Sequence, residues 1–199
     1  PVGEHHSVET DNRKAIERTV QHLVDLGHRR IGFAAGPLTK GVRERIDFYK
    51  ATLQRSSLPF EPPLLQVGTE EDSRAGEQAG LTLLSLKRPP TAIICANDLV
   101  AAGVLGAAKS LGLACPADVS IVGFDDLPLA GHLDPPLTTC RQPTGRIAEK
   151  AVELLLEIVA NDVARTPAQG ILFEPEFVVR ASTAPPCVPT TPARTPARA

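Results

Sequence analysis

Apolar positions along the chain fall into two alternating periods. Ile16, Val20 and Leu23 share one face of a helix that Asp11 or Asn12 can cap and Gly27 can stop. Residues 31–35 form a short, wholly apolar run ending in the turn pair Gly36-Pro37, as a buried strand would. Val42, Ile46, Tyr49 and Leu53 return to helical spacing, and residues 64–67 read as a strand. Asp72 or Ser73 can cap a helix facing inward through Ala75, Ala79, Leu83 and Leu86. Residues 92–96 are a further buried strand. Asn97 can cap the next helix, which carries Val100, Val104, Ala107 and Leu111 and stops at Gly112. Strands follow at 119–123 and 137–140, then a helix over 143–161 with Ile147, Ala151, Leu154 and Ile158 on its apolar face. Two β segments at 171–173 and 177–179 close the pattern.

Short apolar strands between amphipathic helices predict an α/β fold, a parallel sheet with helices on both faces. Residues 184–199 are different in kind. They are dominated by Pro, Thr, Ala and Arg, bury too little apolar surface to order themselves, and are expected to be a disordered tail. The folded domain therefore spans residues 1–183.

Charge narrows the function classes. Lys and Arg number 21 against 23 Asp and Glu, a net charge of -2, so the chain lacks the basic excess of a nucleic-acid-binding surface. No apolar run approaches the roughly 18 residues of a membrane-spanning helix. The start is polar and carries no export signal. Cys95, Cys115, Cys140 and Cys187 are scattered without metal-ligand spacing and read as reduced thiols of a cytoplasmic protein, three of them core fillers. The chain opens at Pro1 rather than Met and runs straight into a helix signal, so an upstream part is expected.

Catalytic signatures are missing. There is no GxSxG elbow, no GxxxxGK[ST] loop, no HExxH and no GxGxxG fingerprint. Asp125 and Asp126 are adjacent, and adjacent side chains after a strand point apart, which argues against an acid–base dyad. His132 has no evident nucleophile partner. The chain is read as no enzyme, with neither cofactor nor metal.

Parallel sheets bind ligands at the carboxyl ends of their strands. Just beyond three predicted strands stand residues 37–40, Asn97-Asp98 and Asp125-Asp126, with Arg45 in the first turns of the following helix. Arg45, Asn97 and Asp125 are expected to converge on one edge. A guanidinium, an amide and a carboxylate together can serve both the donor and acceptor sides of vicinal hydroxyls, or the polar edge of a base. Each also has a purely structural reading: Asn97 as a helix cap, Asp125 and Asp126 as turn caps or partners of Arg45, and Arg45 as a solvated helix residue. For His28-Arg29-Arg30, charge against the helix C-terminal dipole outweighs a phosphate contact.

These residues stand in recognisable strings. His22-Leu23-Val24-Asp25-Leu26-Gly27-His28-Arg29-Arg30-Ile31 resembles the LacI/GalR family of bacterial transcription regulators. So do residues 90–104 around Ala96-Asn97-Asp98, residues 118–126 ending Gly123-Phe124-Asp125-Asp126, Pro136-Leu137-Thr138-Thr139, and Val179-Arg180-Ala181-Ser182-Thr183. The strings keep their order over roughly residues 8–183. The resemblance implies a periplasmic-binding-protein-like fold of two subdomains with a small effector between them, a sugar or nucleoside-like metabolite. It also implies a homodimer, and operator DNA bound through an N-terminal helix-turn-helix head. On that resemblance one subdomain is nearly complete and the other mostly missing, with the helix over 143–161 belonging to the missing one and exposing an apolar face. Arg45, Asn97, Asp125 and Gln142 match the family's effector-side positions. Two departures stand out: Phe48 where the family usually has glycine, and Asp72 where many members place an aromatic residue that stacks on the ligand. A periplasmic-type sugar-binding protein of the same fold is the alternative.

Overall fold

The computed structural model describes residues 6–70, 72–160, 168 and 170–187. Strands and helices follow in the order β1 (Ser7–Thr10), α1 (Asn12–Asp25), β2 (Ile31–Ala35), α2 (Lys40–Arg55), β3 (Leu65–Val67), α3 (Ser73–Leu84), β4 (Ala92–Cys95) and α4 (Asp98–Ser110). Then come β5 (Ser120–Asp125), β6 (Thr138–Arg141), α5 (Thr144–Ala160), β7 (Gly170–Phe173) and β8 (Glu176–Val178). Six strands form one sheet in the order β3-β2-β4-β5-β6-β8. All its pairings are parallel except β6 with β8, which is antiparallel and closes one edge. Among the described residues β1 pairs only with β7, in a separate two-stranded parallel sheet.

The alternation of strand side chains divides the core into two layers. Ile31, Phe33, Ala35, Ile94 and Val122 face α1 and α2, packing with Ile16, Val20, Leu23, Ile46, Tyr49 and Leu53. Ala34, Ile93, Cys95 and Ile121 face the opposite way, onto Leu83, Val100 and Val104 of α3 and α4. Helices cover both faces, as the unbroken apolar strands require.

Capping decides the helix starts. Asp11 Oδ1 accepts from Lys14 N at 3.0 Å, so Asp11 rather than Asn12 caps α1. Asp72 Oδ1 accepts from Ala75 N at 3.0 Å and caps α3. Gly27 and Gly112 adopt φ of 102° and 73° just past α1 and α4, the left-handed conformation that ends a helix at least cost in glycine.

Several sequence-based boundaries move. α3 ends at Leu84, two residues before the expected Leu86, and Leu64 lies in a 3-10 turn (Pro62–Leu64) ahead of β3. The basic string after Gly27 divides. Arg29 Nη1 donates to the Val24 carbonyl in the last turn of α1, as a dipole partner would. Arg30 instead pairs with Glu61. His28 is not a dipole partner at all: it is buried, 1% exposed. Its Nδ1 lies 2.8 Å from Thr91 Oγ1, and its Nε2 donates to the Ala184 carbonyl at 2.9 Å. Burial pushes the pKa of His28 down, and the Ala184 contact opposes that. The chain thus keeps hydrogen bonds to the fold through Ala184, whose N–H donates to Ser120 Oγ at 3.0 Å. Residues 188–199 of the expected tail, and Asn161 at the expected end of the last helix, lie outside the described residues.

α5 departs from the expected exposed face: Ile147 and Ile158 of that face are half-buried, and the exposed apolar residues lie elsewhere on the helix. Leu154 is its buried residue, whereas Val152, Leu155, Leu156 and Val159 are 56%, 59%, 63% and 71% exposed.

Candidate functional site

In the large sheet the chain runs from β2 outward to β3 and then returns past β2 to β4. The carboxyl ends of β2 and β4 therefore flank the reversal of winding, where open α/β sheets form their crevice. Ile94 pairs with Val122, and Asn97 and Asp125 follow at the carboxyl ends of the neighbouring strands β4 and β5. Asp125 pairs with Arg141, and Gln142 follows it.

Asp125 is the most constrained of these. Its backbone φ is 112°, a conformation that disfavours any side chain, and Asp126 follows at 57°. Such strain, of order 1–3 kcal/mol, persists where surrounding contacts over-determine it. Gln142 Nε2 donates to Asp125 Oδ1 at 2.6 Å, and Thr10 Oγ1 donates to Gln142 Oε1 at 2.6 Å. The two aspartates point apart. Asp126 bonds to Arg141 Nε and Arg180 Nη2, each at 2.6 Å. Burial works against the charge of Asp126, yet the two arginines hold its carboxyl below the usual range. Asp126 is thus a pin for the loop, and Asp125 is the carboxylate turned toward the edge.

Arg45 lies one turn into α2, and its guanidinium carbon sits 4.1 Å from the centroid of the Phe124 ring. Phe124 is 2% exposed. A cation over a desolvated ring is held electrostatically, and the planar fork keeps its donors at its rim. Asn97 Oδ1 accepts from Val100 N at 2.8 Å, which makes it the cap of α4. The cap uses the oxygen, so Nδ2 is the group left for a ligand. The structure therefore brings Asp125 and Gln142 into direct contact, sets Arg45 on the ring of Phe124, and places Asn97 on the adjacent strand end. Asp72, where the resemblance suggests a stacking aromatic, spends its carboxylate on the cap of α3. Phe48 packs against the core cluster of α1 and α2.

Sequence reasoning passed over Asp98. It is fully buried. Thr139 Oγ1 donates to its Oδ1 and Leu127 N to its Oδ2, both at 2.7 Å. It thereby ties the start of α4 to β6 and to the loop that carries Asp125 and Asp126. Burial pushes its pKa up to about 6, against the two hydrogen bonds and with help from the nearby charges of Asp125 and Asp126. Room for it comes from Gly123, where a Cβ would lie 2.2 Å from Asp98 Oδ1. The available signal was an acid directly after a capping Asn, opposite a glycine-bearing strand. Thr10 gave no signal of its own, because its partner is 132 residues away.

The periplasmic binding protein-like domain family matches residues 20–183. The chain belongs to the LacI/GalR family and carries its periplasmic-binding-protein-like domain. Among its relatives, the HTH-type transcriptional regulator MalR of Streptomyces coelicolor is 42% identical over 182 residues, which is 89% of this chain and 52% of MalR. The chain spans about half the length of the curated relatives it matches. Among solved structures, the transcriptional regulator CelR in complex with cellobiose superposes with a TM-score of 0.79 at 29% identity, covering 90% of this chain and 54% of CelR. The lac repressor dimer bound to operator and the anti-inducer ONPF does so with a TM-score of 0.79 at 30% identity, covering 88% and 59%. The relatives are transcriptional regulators rather than enzymes. No helix among the described residues is long and apolar enough to cross a membrane.

Proposed function

We propose that this chain is the effector-sensing region of a LacI/GalR-type transcription regulator of the cytoplasm. It binds a small polar metabolite of the sugar class at the carboxyl edge of the large sheet, through Arg45, Asn97, Asp125 and Gln142. The observation that carries the reading is Asp125, a strained carboxylate at a strand end, held by Gln142, on the strand neighbouring the one that Asn97 follows. A carboxylate accepts from two neighbouring hydroxyls, and guanidinium and amide donors serve their lone pairs. Cellobiose in the related CelR structure supports a sugar. The HTH-type names of the curated relatives favour a regulator over a periplasmic sugar-binding protein.

In this reading the effector prefers one arrangement of the two subdomains. It shifts operator affinity of a helix-turn-helix head by the difference in its affinity for the two states. The working unit is a homodimer. Supporting it are the dimeric lac repressor relative and Leu99 of α4, which is 38% exposed.

A thermal-shift screen of the protein against cellobiose, other mono- and disaccharides, and nucleosides tests the sugar assignment. Sugars raise the melting temperature in a saturable way and nucleosides do not. A shift confined to nucleosides, or absent throughout, overturns the sugar.

A further inference from the structure

Thr10 is the last residue of β1, in the small sheet, while Gln142 and Asp125 stand at strand ends of the large one. Its side chain nevertheless crosses between the sheets. Thr10 is buried, 6% exposed, and its hydroxyl hydrogen goes to Gln142 Oε1 at 2.6 Å. A primary amide has one acceptor end and one donor end, and a 180° flip exchanges them. With the Thr10 hydroxyl on Oε1, the NH₂ end is turned to Asp125 Oδ1 at 2.6 Å. Flipped, the amide would set its oxygen against the carboxylate, a contact with no hydrogen in it.

We propose that Thr10 is a positioning residue for the candidate site: the Asp125 carboxylate selects the NH₂ end of the Gln142 amide, the Thr10 hydroxyl anchors its other end, and Gln142 so anchored holds the Asp125 carboxylate in its binding pose. Thr10 is itself held in place from the small sheet. It is level with Phe173 of β7, and the next N–H, of Asp11, donates to the Phe173 carbonyl at 2.8 Å. The relay is thus anchored in one sheet and ends on the other. This inference rests on the reading of Asp125 as a ligand contact.

The test is a side-chain amide experiment on the ¹⁵N-labelled protein, free of ligand. The Gln142 NH₂ pair is assigned by its loss in Gln142→Met. In the wild type one proton of the pair is shifted downfield and protected from exchange. Thr10→Val keeps the β-branched shape, removes the hydroxyl, and lowers that protection by up to about tenfold, the upper range for the loss of one neutral hydrogen bond. Thr10→Ser restores it, and Thr10→Ala serves as a second hydroxyl-free variant should the valine protein fail to fold. An unchanged Gln142 pair in the hydroxyl-free variants, or a serine variant that does not restore it, overturns the relay. With any sugar that shifts the wild type, Thr10→Val weakens binding about tenfold and Thr10→Ser does not. Equal affinity in the valine variant overturns the positioning role. If no sugar binds the wild type, the sugar reading fails while the amide result still decides the relay.

Discussion

Asp98 should make the stability of this protein depend on pH in a direction opposite to that of an ordinary salt-bridged aspartate. Its folded pKa is raised from 3.8 to about 6. The native state therefore binds more protons than the unfolded state between those values, and stability falls as pH rises through that window. At about 1.36 kcal/mol per pH unit the displacement corresponds to roughly 3 kcal/mol, fully present below pH 3.8 and lost by about pH 6. The hydrogen bonds make the protonated form workable. Leu127 N can only donate, but the Thr139 hydroxyl can turn from donor to acceptor. Asparagine mimics that neutral state, with Oδ1 toward Leu127 and Nδ2 toward Thr139. Asp98→Asn should therefore gain on the wild type by roughly 2–3 kcal/mol between pH 4 and pH 7; Asp98→Ala strands both donors, which costs roughly 2–4 kcal/mol at pH 4, a deficit that shrinks by the same amount toward pH 7 because alanine does not titrate either. Urea unfolding followed by circular dichroism at half-unit pH steps measures both. Taking the difference between wild type and asparagine variant cancels every other titrating group. A difference that stays flat from pH 4 to 7 would refute the reasoning, because it would mean that Asp98 ionises at its ordinary pKa.

Three further outcomes follow from the same contacts. Gly123→Ala drives a Cβ to within 2.2 Å of Asp98 Oδ1 and should cost at least about 2–3 kcal/mol, read as a fall in urea midpoint at unchanged slope. His28 has a folded pKa below 6.5, so its contribution is present above that value and lost as pH falls past it. His28→Gln should flatten this acid loss, measured as the melting temperature between pH 7 and pH 5, and an unchanged slope would count against the buried neutral imidazole. Asn97→Ser keeps a capping oxygen and Asn97→Ala does not, so only the alanine variant should lose about 1 kcal/mol of stability, while both should lose effector affinity by calorimetry.

The sheet and its helices were legible because periodicity is local. Ile31, Phe33 and Ala35 face one layer and Ala34 the other, which an unbroken apolar run already implies. Arg45, Asn97 and Asp125 were legible because a strand end followed by a polar residue is a local feature too. The antiparallel β8 and the β1–β7 pair were not, since a partner chosen across some 35 to 163 residues leaves no periodic trace in a strand of three or four residues. His28 was misread for a related reason. Its position after Gly27 matches a dipole partner, but Thr91, Ser120 and Ala184 close over it from three distant segments. Asp98 and Thr10 escaped because their roles consist of partners 29 to 132 residues away.

The account stands most directly on Asp125. Calorimetric titration of the sugar that gives the largest thermal shift should show one site per chain in the wild type. At 100 times the dissociation constant that sugar should add about 2.7 kcal/mol of stability. Asp125→Ala should remove both the heat and the shift while the protein remains folded. Undiminished binding by the alanine variant would contradict the placement of the effector at the carboxyl edge of the sheet.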